Sequence, residues 1–122
     1  MRFFDSNFIL AALIRRLITL GYYEISEDQI AKFQFAFIIK SSKLDRMFLR
    51  IEREGLIAFC DNHEYVKYDR FLDLLVIDRK KEEEAFKYFT EKYQKEIDEL
   101  NIPFFDEMID SAALYALGYS LA

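Results

Sequence analysis

At 122 residues, 52% of them hydrophobic, the chain has room for one folded domain, since domains cluster near roughly 100–150 residues. Its longest uninterrupted apolar run, Phe8 to Ile14, is seven residues against the roughly twenty a membrane helix needs, and a net charge of −5 disfavours wholesale attraction to nucleic acid or anionic membranes. A single cysteine, Cys60, excludes an internal disulfide, and Asp5 with no small-residue cleavage site after the apolar run argues against a secretory leader, so a reducing, cytoplasmic location is expected.

Asp5 or Ser6 is placed to cap a first helix through Phe8, Ile9, Leu10, Ala12, Leu13, Leu17 and Leu20, stopped at Gly21. It is apolar nearly all round, which suits either the central helix of a bundle or half of a dimer interface. Tyr22, Tyr23 and Ile25 form a short strand-like stretch. Ser26 with Gln29 is a capping box and Ile25 with Ile30 a hydrophobic staple, so a second helix begins at Glu27 and buries Ile30, Phe33 and Phe37.

After Lys40-Ser41-Ser42 the spacing of Leu44, Met47, Phe48 and Ile51 predicts a third helix ended by Gly55. Leu56 to Cys60 and Tyr65 to Tyr68 read as two strands of a hairpin turned by Asp61-Asn62-His63-Glu64. Asp69 to Ile77 suits a buried helix or a strand equally. A long amphipathic helix is expected from about Arg79 to Leu100, carrying Ala85, Phe86, Phe89, Tyr93 and Ile97 inward, with Glu83 paired to Lys87 and Glu91 to Lys95 outside. Pro103 interrupts it, and a last helix follows from Phe104 with Phe105, Met108, Ile109, Ala112 and Leu117 apolar.

The order helix, strand, helix, helix, hairpin over residues 4–68 resembles the winged helix-turn-helix family. The stretch Lys43-Leu-Asp-Arg-Met-Phe-Leu-Arg-Ile-Glu-Arg-Glu-Gly-Leu-Ile57 looks like that family's recognition helix running into its first wing strand. The fold class expected is therefore mainly α: a winged-helix-like core of three helices and a small hairpin, with residues 69–122 as a helical extension of the same domain.

On such a third helix Lys43, Arg46, Arg50 and Arg53, spaced three, four and three residues apart, form a basic stripe. Residues 40–53 hold five Lys or Arg against two acids, a local +3 that leaves −8 on the rest of the chain. Cations so placed reach phosphates and base edges in a major groove, or form a solvated face paired with Asp45, Glu52 and Glu54. Lys67 at the base of the hairpin would assist duplex contact, whereas Asp61 and Glu64 at its tip would oppose it.

No catalytic constellation stands out. Consecutive Glu82, Glu83 and Glu84 point in different directions, one histidine and one cysteine are too few for zinc, and Cys60 lies in an apolar segment where a thiolate is poorly solvated. The chain is expected to be non-enzymatic and without metal or cofactor: a winged-helix-type DNA-binding regulator that meets double-stranded DNA or, as the alternative, a protein-interaction module of a multi-component assembly or a small phage-type inhibitor. The surplus of 13 Phe and 8 Tyr reads either as a Phe-rich core or as an exposed apolar surface that meets a partner or a second copy in a homodimer.

Overall fold

A computed structural model describes residues 2–3, 6–40, 47–48, 52–101 and 103–119. The chain is mainly helical, with helices α1 (Ser6–Leu20), α2 (Glu27–Lys40), α3 (Arg53–Asp61), α4 (Glu82–Leu100) and α5 (Phe105–Ala116). Strands β1 (Arg2–Phe3) and β3 (Met47–Phe48) pair in parallel. Strands β2 (Glu24–Ser26), β4 (Val66–Asp69) and β5 (Leu74–Ile77) form an antiparallel sheet in the order β2-β5-β4.

Local chemistry sets the first two helices. Gly21 ends α1 at a φ of +83°, a backbone conformation that costs glycine little. The Tyr22 N–H then reaches the Leu17 carbonyl and the Gly21 N–H that of Ile18, closing a Schellman motif. The capping box forms as expected: Ser26 N–H donates to Gln29 Oε1 at 2.9 Å and Gln29 N–H to Ser26 Oγ at 3.1 Å. Ile25 and Ile30, the staple pair, are both buried.

α1 is the central helix. Phe8 through Ile14 and Leu17 are buried, because α4 packs along one side of it and α5 along another. Its apolar circumference is thus largely covered within one chain. α2 lies against α5, where Phe37 meets Phe33 and Phe105 with ring centroids 6.2 and 6.4 Å apart. From α4, Ala85, Phe89 and Tyr93 enter the core, while the outward ion pairs join Lys87 to Glu91 and Lys95 to Glu99, displaced from the expected pairs toward the C-terminus.

The middle of the chain departs from expectation. Met47 and Phe48 lie in a strand, so residues 43–54 do not form one continuous helix. The stretch Leu56 to Cys60, expected as a strand, is helical. Leu56, Phe59, Cys60 and His63 are buried while Ala58 is exposed, a three- and four-residue spacing that gives a single helical face to the core, and Gly55 falls inside α3. The hairpin consequently moves along the chain. Its strands are β4 and β5, its loop is Arg70-Phe71-Leu72-Asp73, and the 69–77 segment resolves as strand, turn and strand. Ile25, Val66, Leu75 and Ile77 face the core, and the cross-strand row Glu24, Val76 and Lys67 occupies the outer face.

Candidate interaction surface on the hairpin

The β4-β5 loop is held by two carboxylates. Asp69 Oδ1 accepts the Phe71 and Leu72 N–H groups at 2.9 and 3.0 Å, an Asx-type turn in which side chain replaces backbone as acceptor. Asp73 sits at a φ of +52°, and its Oδ1 accepts from Arg53 Nε at 3.0 Å and from the Tyr68 hydroxyl at 3.2 Å. The Arg53 guanidinium and the Tyr68 hydroxyl hold the Asp73 carboxyl below the usual carboxylate range. The Asp73 carbonyl also accepts the Glu27 N–H at 3.0 Å, satisfying a first-turn donor of α2.

The root of the loop is therefore tied to both α2 and α3. On this fixed turn Phe71 is 93% exposed and Leu72 59%. Two large apolar groups have been placed in water although the backbone beneath them is satisfied. Adjacent apolar side chains on a rigid projection are the usual anchor of a protein contact, because little ordering entropy remains to be lost on binding.

Of the residues expected to contact DNA, Lys43, Arg46 and Arg50 lie outside the described residues. Arg53 begins α3, and its guanidinium is engaged by Asp73 and lies 5.9 Å from the centre of the Tyr68 ring. Lys67 is exposed on the outer face of the sheet, in a groove of about 450 Å³ shared with Arg79 and Lys80. The exposed positions of α3 are Glu54, Gly55, Ala58 and Asp61, so that helix offers acid to solvent. The acidic hairpin tip is likewise revised: Asp61 and Glu64 flank the turn after α3, and the true tip is apolar.

His63, expected in an exposed turn, is 8% exposed. Its Nδ1 lies 2.7 Å from the Phe59 carbonyl and its Nε2 2.7 Å from the Tyr93 hydroxyl, so Nδ1–H donates to the carbonyl and Nε2 accepts from Tyr93. Burial lowers its pKa from the ordinary 6.5, against the pull of the Phe59 carbonyl. Cys60 is pushed up to about 12 by burial and then by Asp61. Both effects disfavour its thiolate.

A second cleft, of about 170 Å³, lies between α1, α4 and α5. Arg16 pairs there with Asp110, and Arg15 stacks 5.6 Å from the centre of the Phe86 ring. No group of three potential metal ligands occurs among the described residues, and none of their helices is long and apolar enough to cross a membrane. Compared with models of known families, with curated proteins and with solved structures, the chain matches none.

Proposed function

We propose that this chain is a winged-helix-type domain used as a protein-interaction module, with the Phe71-Leu72 tip of its hairpin as the docking element. The winged-helix reading is supported by the order α1, β2, α2, β3, α3, β4, β5, in which α3 would be the third helix and β4-β5 the wing, both further along the chain than their sequence pattern suggests and with the short β3 as an addition. The observation that carries the docking reading is Phe71, exposed at the tip of a turn fixed by Asp69 and Asp73. Apolar anchors of this kind supply most of the energy of a protein interface, whereas a duplex is gripped mainly by cations.

Charge supports the same choice. The solvent-facing positions of α3 include Glu54 and Asp61, which would repel phosphates brought to that helix. Titration with duplex DNA at low salt tests the alternative. The interaction-module reading expects no salt-dependent binding. Binding that weakens with a log–log slope near −0.9 per phosphate, and loses about two units of slope in Arg46→Ala with Arg50→Ala, would transfer the function to DNA recognition.

A further inference from the structure

We infer that the groove at the opposite end of the hairpin, between the outer face of β4-β5 and the 3-10 turn Arg79–Lys81, binds a short, extended peptide segment that alternates acidic and apolar residues. This site is separate from the apolar tip and does not depend on the reading given to that tip.

The groove has an apolar floor and cationic walls. Tyr65 and Val76 are half-buried along it, and Val76 stands directly across from Lys67 in the strand register. Arg79 and Lys80 rise from the 3-10 turn on the other side. Its volume of about 450 Å³ falls within the roughly 300–1,000 Å³ of ordinary ligand clefts, enough for a few side chains of an extended segment.

The cations are positioned but not neutralised. Arg79 lies 4.9 Å from the centre of the Tyr23 ring, and the Tyr23 hydroxyl donates to the Glu82 carboxylate, so the platform beneath the guanidinium is itself fixed. Lys67, Arg79 and Lys80 form no ion pair among the described residues. Two acids also line the groove, Glu64 at the rim and Asp78, which accepts the Lys80 N–H at 3.1 Å, so the cations outnumber the carboxylates by three to two. Three cations with no ion pair among the described residues, on a chain of net charge −5, give the groove a local positive excess that complements an anion.

The surroundings select a short anion over a long one. Glu82, Glu83 and Glu84 follow the 3-10 turn directly, and Glu24 lies two strands from Lys67 in the same row. A nucleic-acid backbone long enough to run past the groove in either direction would meet these further carboxylates, which repel phosphate. A peptide with two or three acidic side chains stays within the groove, where Lys67, Arg79 and Lys80 outnumber Glu64 and Asp78, while its intervening apolar side chains cover Val76 and Tyr65.

The test is fluorescence polarisation of the full chain with three labelled probes: the hexapeptide Asp-Leu-Asp-Phe-Asp-Leu, the same peptide with Lys for each Asp, and a twelve-nucleotide single strand. The acidic peptide should bind at least about tenfold tighter than the basic one, and tighter than the oligonucleotide. Lys67→Glu with Lys80→Glu should weaken it by about tenfold, and Lys67→Ser with Lys80→Ser should weaken it less, with both folds checked by circular dichroism. Phe71→Ser should leave this binding unchanged, which separates the groove from the tip. Equal affinity for both peptides, insensitivity to charge reversal, tighter binding of the oligonucleotide, or no binding at millimolar peptide would each overturn the inference.

Discussion

Arg53 Nε and Asp73 Oδ1 lie 3.0 Å apart, joining the first turn of α3 to the root of the β4-β5 loop. Both side chains are substantially exposed, so the pair adds little to global stability and acts chiefly on the orientation of the loop. Asp73→Ala should therefore leave the thermal midpoint nearly unchanged while accelerating amide exchange at Phe71 and Leu72. Because Arg53 depresses the Asp73 pKa, the restraint is present above the unfolded carboxyl value near 4 and is lost as pH falls through the lower folded value. Exchange at the tip that is unaltered by the substitution would show that Asp69 alone holds the turn.

Phe37 is 1% exposed and wedged between Phe33 and Phe105 at the α2-α5 contact. Phe37→Ala should cost about 3–5 kcal/mol in urea unfolding, through lost transfer energy and an unfilled cavity. Phe35, one turn face away and 54% exposed, should cost less than about 1 kcal/mol on the same substitution. Similar losses at both positions would contradict the packing of α2.

His63 makes stability depend on pH. Its folded pKa lies below the unfolded value of 6.5, so the unfolded chain binds the proton first. Its contribution is complete above pH 6.5, declines as pH falls from there to the folded pKa, and is flat below it. His63→Gln should remove that slope in urea midpoints measured between pH 7.5 and 5, about the range in which histidine changes charge. Tyr93→Phe should cost about 1–3 kcal/mol, because Nε2 loses its donor in the core.

The parts of this fold that were legible in the sequence are those decided within one turn of chain. Ser26 with Gln29 and Gly21 announce their boundaries because capping is a local hydrogen-bond problem. Leu56 to Cys60 reads as a strand in sequence because five apolar residues are too few to show a period, and the burial of His63 alongside Leu56, Phe59 and Cys60 reveals the helical face. The exposed hairpin tip was hidden for the opposite reason: Phe71 and Leu72 have the composition of core. Asp69 and Asp73 bracketing them were the available turn signal, since aspartate both caps a turn and tolerates positive φ. The groove could not be anticipated, because Tyr23, Lys67 and Arg79 are brought together only by the pairing of β2 and β4 on either side of β5.

The claim that the hairpin tip docks a protein is tested most directly by placing a photo-crosslinking phenylalanine analogue at position 71 in the otherwise unchanged chain, expressed in its native cells. The account predicts one discrete protein adduct, made from position 71, abolished by Leu72→Asp, and not made from an analogue at Ala58 on the exposed face of α3. An adduct profile identical from positions 71 and 58, or one indifferent to Leu72→Asp, would contradict it.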